Sequence, residues 1–184
     1  MGQPKGSLPW DGHTLFEHQL ECLREWSQRV VVTGAHLIQD ATNVPWLEVN
    51  NPAWASGRSS SIAHGAAALS GEPQAILVVA IDQPLVPEVL TRLLDDFRPG
   101  QHTLTRPYNN GTPGHPVIFS AALRPDLMEV ERYEDGLRGL ISEYGRWERK
   151  VRVEEPLIHA DLNTRDAYEK ARQRWLSRVS EIAE

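Results

Sequence analysis

The chain has 184 residues, enough for one sizeable core and too few for two ordinary domains, so a single domain spanning 1–184 is expected. A net charge of -6 argues against nucleic acid or an acidic membrane as a partner held by bulk attraction, while leaving a local phosphate pocket open. One cysteine, Cys22, excludes an internal disulfide and cysteine-built zinc cages, and no apolar run nears the ~18 residues of a membrane span, so a soluble, cytoplasmic protein is expected.

Lys5 stands among glycine and proline ahead of the apolar Leu8-Pro9-Trp10, a composition that suits the second half of a phosphate-binding loop. Thr14-Leu15-Phe16-Glu17 has the form of a capping box. Leu15, Phe16, Gln19, Leu20, Leu23 and Trp26 follow at three-to-four spacing, which predicts a helix with one inward face and Cys22 on its apolar side as an inert thiol. Val30-Val31-Val32, ended by Thr33-Gly34, and Ala75 to Ile81, ended by Asp82-Gln83-Pro84, are continuous apolar runs of the kind buried on both faces of a parallel sheet. Pro87 opens a further helix with Val89, Leu90, Leu93, Leu94 and Phe97 inward. Weaker strands are expected at 46–49, 102–105, 117–119 and 151–153, and helices at 60–69, 134–144 and from Arg165 towards the C-terminus. Strands alternating with helices predict an α/β sandwich on a mainly parallel sheet. The six tryptophans read as packing residues, because no pair is spaced to clamp a base.

Ligands of such sheets bind beyond the carboxyl ends of the strands, which directs attention to particular polar residues. Asp82 ends the strongest strand, where a carboxylate suits either a magnesium ion or a turn. The segment from Asn51 to Ser61 lies between a strand and a helix. Its serines and free amides suit an anionic or hydroxyl-bearing ligand, and a plain helix cap explains the same residues. Gly65 within that helix costs about 1 kcal/mol against alanine and implies close approach of backbone or ligand. His115, between Gly114 and Pro116, suits a substrate contact or a structural hydrogen bond equally. Asp161 is a candidate second metal carboxylate, with Asn163 or Thr164 capping the last helix.

Taken in order, Gly2-Gln3-Pro4-Lys5 with Leu8-Pro9-Trp10, Asn51-Pro52 through Gly57 with Ser60-Ser61, Asp82-Gln83-Pro84, Gly114-His115-Pro116-Val117 and Asp161-Leu162-Asn163-Thr164 make a pattern. It resembles the MobA-like nucleotidyltransferases, especially the molybdenum cofactor cytidylyltransferases, from Met1 to about Tyr168. The resemblance implies a Rossmann-like, three-layer nucleotidyltransferase fold. It also implies transfer of a nucleoside monophosphate, CMP from CTP by preference, to a phosphorylated pterin-type acceptor (molybdopterin) with release of pyrophosphate. By position, Asp82 would hold Mg2+ with Asp161, and Lys5 would offset nucleotide phosphate charge. Ser60, Ser61 and Gly65 would lie against the nucleoside, and Gly114 and His115 would face the acceptor. A catalytically impaired cofactor- or nucleotide-binding protein, or transfer to another phosphorylated acceptor, are the alternatives. Members of the family begin with a central strand and a glycine-rich loop ahead of the segment matched by Gly2–Lys5, whereas this chain starts after both. It is therefore expected to be N-terminally truncated relative to the family, with unpaired strand edges and an open seam where that strand would lie.

Overall fold

Thr14 does what its neighbours dictate: its hydroxyl accepts from the Glu17 amide while the Glu17 carboxylate accepts from the Thr14 amide, completing the capping box. The computed structural model describes residues 4–34 and 43–183, so Gly2 and Gln3 of the first motif lie outside the described residues. A short hairpin, β1 (Pro9–Trp10) and β2 (His13–Thr14), precedes helix α1 (Leu15–Cys22). Asp11 and Gly12 turn it at φ 47° and 79°, the left-handed pair that an Asp-Gly hairpin turn uses. Then follow β3 (Val30–Thr33), β4 (Leu47–Asn50), α2 (Arg58–Ala68), β5 (Ala75–Val78) and α3 (Pro87–Asp96). The second half holds β6 (Leu104–Asn109), β7 (Thr112–Pro113), β8 (Val117–Ser120), α4 (Arg124–Met128), α5 (Leu137–Tyr144), β9 (Glu148–Arg152) and α6 (Arg165–Ala183). Among the described residues no helix is long and apolar enough to cross a membrane.

The main sheet runs β5-β8-β6, with β9 parallel to β6 and β7 its hairpin partner. It is mixed: β8 lies between β5 and β6 and runs antiparallel to both. An apolar run reports burial but not direction, which is why these neighbours were not expected to oppose each other. Alternation along β8 sorts the two faces. Ile118 joins a core with Leu15, Val89, Leu93, Leu157 and Trp175, whereas Val117 and Phe119 join the opposite core with Ala66, Leu127 and Leu140. Helices therefore cover both faces, giving three layers. Cys22 is half-buried, and its thiol is pushed up to about 12 by burial, reinforced by Glu88, which makes it the inert group expected.

β3 and β4 form a separate parallel pair. Among the described residues neither β3 nor β5 has a second strand partner, so each leaves one edge unpaired. A cavity of about 790 Å³ is lined by Val30, Val31, Val32 and Thr33 and by Ala75 to Asp82. Phe16 and Leu20 of α1 and Ile62, Gly65 and Ala66 of α2 also reach it. Val30, Val31 and Val32, and Leu77 and Val78, are accordingly only half-buried, not enclosed as the apolar runs implied. Among the described residues the cavity thus lies between the free edges of β3 and β5.

Candidate active site

The site gathers where β3 and β5 end. The loop after β5 is propped by α1: Gln19 accepts from the Leu85 amide (2.9 Å) and donates to the Gln83 carbonyl (2.8 Å), while His18 Nε2 donates to the Leu85 carbonyl (2.9 Å). This fixes the backbone beside Asp82, whose residue is only 6% exposed. The Asp82 carbonyl accepts from the Leu162 amide at 2.9 Å, tying the Asp161–Asn163 segment to the same point.

Cations then converge on the carboxylate. Lys5 Nζ lies 2.7 Å from Asp82 Oδ2, and Arg58 Nη2 lies 3.9 Å from the same oxygen. Lys5 also donates to Asn163 Oδ1, and Asn163 Nδ2 donates to Asp161 Oδ1. The chain Arg58, Asp82, Lys5, Asn163, Asp161 is continuous. The sequence left Asn163 and Thr164 as alternative caps of the last helix; Thr164 takes that part, accepting from the Ala167 amide at 3.1 Å. Asn163 is thereby free for the site, a role the sequence did not assign to it.

On the α2 side, Asn51 is fully buried and holds the helix start against the end of β3. Its amide donates to the Thr33 carbonyl (2.8 Å), and its side chain donates to Ser60 Oγ (2.8 Å) and Ser61 Oγ (3.0 Å). Ser61 and Gly65 line the cavity. Ser60 does not; it is buried, with its hydroxyl in reach of the Ala53 (3.1 Å) and Gly57 (2.9 Å) carbonyls. Its position is set by the first turn of α2, which directs it into the Asn51 network instead of towards a nucleoside. A Cβ at Gly65 would sit 3.1 Å from Val32 Cγ2, so the glycine lets α2 approach β3 closely. Arg58, the first residue of α2, lines the cavity and was not singled out from sequence.

His115 faces the same cavity. Its amide donates to the Ile158 carbonyl at 2.8 Å, and the His115-Pro116 bond is cis. The residue is exposed where it meets the cavity. Partial desolvation by the surrounding protein, first, and then Arg58 and Arg106 hold its pKa below the ordinary imidazole value, while Asp161 and Asp82 oppose them. At neutral pH the ring is uncharged and offers one acceptor and one donor. Gly114 is buried against Ile158, where a Cβ would meet Ile158 Cγ1 at 2.5 Å; it positions the His115 turn and has no room to face a ligand itself.

Among the described residues no group of three or more His, Cys, Asp or Glu is arranged to enclose a metal unaided. The carboxylates nearest the site are Asp82 and, linked to it through Lys5 and Asn163, Asp161. This set fits a magnesium-like ion that completes its shell with water and phosphate oxygens.

A layered α/β sheet with cations, carboxylates and a helix start at its carboxyl edge defines a nucleotidyltransferase-type enzyme fold. The sequence pattern of the family described as "MobA-like NTP transferase domain" matches residues 1–149, and the chain belongs to that family. Similar solved structures include Rv0371c from Mycobacterium tuberculosis (20% identity, TM-score 0.74, 94% of this chain and 90% of that one). That protein is also known as a complex with manganese. The 2-C-methyl-D-erythritol 4-phosphate cytidylyltransferase of Thermus thermophilus is 18% identical with a TM-score of 0.68, covering 94% of this chain and 93% of that one. The molybdopterin-guanine dinucleotide biosynthesis protein A of Archaeoglobus fulgidus is 18% identical with a TM-score of 0.62, covering 96% and 92%. No curated protein sequence matches the chain. At these identities the structural likeness speaks for the fold, and family membership for nucleotidyl transfer.

Proposed function

We propose that the protein transfers CMP from CTP to the phosphate of a pterin-type acceptor, molybdopterin in the simplest case, with release of pyrophosphate. The observation that carries this reading is the Lys5–Asp82–Asn163–Asp161 chain at the carboxyl edge of the sheet. It links a phosphate-seeking cation, a rigidly held carboxylate and, through Asn163, a second carboxylate. Preference for CTP over GTP, and for Mg2+ over other divalent ions, rests on the sequence resemblance.

In this reading the acceptor phosphate attacks the α-phosphorus and pyrophosphate departs in line. The protein's task is to align two anions and offset their repulsion. Asp82 and Asp161 would hold a divalent ion, which supplies charge stabilisation at the phosphoryl oxygens when bound. Lys5 faces the polyphosphate as a point charge. Ser61 and the first turn of α2 border the nucleotide, and uncharged His115 lies on the acceptor side without adding repulsion or a competing positive charge. No side chain needs to act as a nucleophile.

The test is pyrophosphate release with CTP or GTP, MgCl2 and molybdopterin, using wild type and Asp82→Asn. The expected result is release with CTP that falls at least about 100-fold in Asp82→Asn, in keeping with removal of a metal-bound carboxylate. Nucleotide binding without any release would instead support a binding protein. Release undiminished in Asp82→Asn would remove the metal assignment.

A further inference from the structure

We infer that Arg58 is a second polyphosphate-binding side chain, parked on Asp82 in the free protein and released to the nucleotide when a divalent ion takes that carboxylate. The inference rests on the nucleotidyl-transfer reading and adds to it a residue outside the motifs that suggested it.

Three observations carry it. The first is charge. Asp82 Oδ2 faces both Lys5 (2.7 Å) and Arg58 (3.9 Å), so one carboxylate oxygen is shared by two cations, while the second carboxylate of the cluster, Asp161, is reached only through Asn163. The closer partner is Lys5, which leaves Arg58 at the limit of an ion pair.

The second is bonding. Arg24, Arg29, Arg98, Arg106, Arg124, Arg132, Arg149 and Arg178 donate hydrogen bonds to carbonyls, carboxylates or tyrosine hydroxyls. Arg58 shares its lack of one with surface arginines such as Arg92 and Arg138 and differs from them in lining the cavity. Among the described residues Arg58 makes no hydrogen bond, and Asp82 is its one ion-pair partner. Its five donors are uncommitted, and its side chain is 58% exposed.

The third is position. An exposed arginine is ordinary, but this one lines the cavity with Lys5, Ser61, Asp82 and His115. It opens α2 directly after Gly57, whose φ of 119° is a conformation that other residues rarely adopt. The guanidinium therefore leaves the helix start on the side where Asp82 lies.

A divalent ion on Asp82 competes for the oxygen that both cations share, and like charge drives them off it. A polyphosphate arriving with that ion offers replacement partners, and the planar fork of arginine suits two non-bridging oxygens at once. Arg58 thus opposes the bare ion and favours the ion-nucleotide complex. Removing it should move the two affinities in opposite directions, a result that loss of a merely structural residue does not produce.

The experiment measures binding of Mn2+ alone, by its paramagnetic resonance signal, and of Mn2+-CTP and Mn2+-GTP, by calorimetry, to wild type, Arg58→Ala and Arg58→Lys. Arg58→Ala is expected to bind Mn2+ alone more tightly, by roughly 2- to 5-fold for a partly exposed pair. It should bind the preferred Mn2+-nucleotide more weakly, by about 10-fold, the scale of a charge-assisted hydrogen bond to phosphate. Arg58→Lys should restore the Mn2+ affinity to the wild-type value but not the nucleotide affinity, because it keeps the charge and loses the fork. Affinities that both stay unchanged, or both fall, in Arg58→Ala overturn the inference alone. Wild type that binds neither Mn2+-nucleotide overturns it together with the nucleotidyl-transfer reading.

Discussion

A single carboxylate, Asp82, carries the electrostatics of the site, and much of what surrounds it serves to keep it in place. His18 is part of that support and, like His115, a residue whose protonation the fold opposes. It is buried, donates to the Leu85 carbonyl, and packs edge-on against Trp175 at 4.7 Å. Burial, before any other influence, holds its pKa below the ordinary value, with the Leu85 hydrogen bond and Asp11 opposing. The sign follows: below about pH 6.5 the unfolded chain takes a proton that the folded chain refuses, so stability is full above that pH and declines as pH falls through it. The slope for one such group is at most about 1.4 kcal/mol per pH unit. Urea denaturation of wild type and His18→Gln at pH 7.5 and 5.5 checks this. The wild type should lose stability between the two, and the variant, weaker at pH 7.5, should lose measurably less. At this scale residue type and strand position directed attention to Lys5 and Asp82, which the structure brings together. The sequence was silent on Asn163, Arg58 and the inward turn of Ser60, because those depend on which way a helix start faces a loop distant in the chain.

Elements meet at glycines where their approach leaves no room for a Cβ. The turn that carries His115 lies against the 156–159 helical turn, with Gly114 pressed on Ile158 and the His115 amide bonded to the Ile158 carbonyl. Alanine at this position would overlap Ile158 Cγ1 and Cδ1, at 2.5 and 2.6 Å, in a buried setting. Gly114→Ala should therefore cost about 1–3 kcal/mol, the range for overpacking a core contact. Thermal or urea denaturation measures the cost, and a variant as stable as wild type would show that the two turns separate easily. Local signals did place the elements themselves. The capping box marked the start of α1, Pro87 the start of α3, and the apolar runs the cores of β3 and β5. What local signals omit is pairing: β8 reverses the direction of the sheet through contacts some forty residues away from β5. The short helix α4 and the first hairpin were also not expected, being too brief to show a period.

At the scale of the molecule, two pieces of sheet face each other across the seam. β6 has β8 on one side and β9 on the other, and its Leu104 and Thr105 are fully buried. β3 pairs only with β4, and β5 only with β8, among the described residues. Their remaining edges border the 790 Å³ cavity with half-buried valine and leucine side chains. Backbone groups on such edges have water instead of a strand as partner, and local opening requires the loss of fewer bonds there. The order of the sequence motifs already implied a gap at this place, but whether the two pieces would collapse onto each other depended on how α1 and α2 pack. Both helices hold the pieces apart: Phe16 and Leu20 line one wall of the cavity, and Ile62, Gly65 and Ala66 another. Hydrogen exchange should expose the consequence. The seam-facing amides of Val30 to Thr33 and Ala75 to Val78 should exchange roughly 100-fold faster, or more, than those of Leu104 and Thr105. The native protein should also bind a hydrophobic dye without losing its far-ultraviolet dichroism, because the cavity walls are apolar and accessible. Equal protection of β3, β5 and β6, with no dye bound, would mean that the seam is closed in solution. The phosphate-facing end of the cavity, beside Lys5 and Arg58, would then have to be narrower than the structure shows.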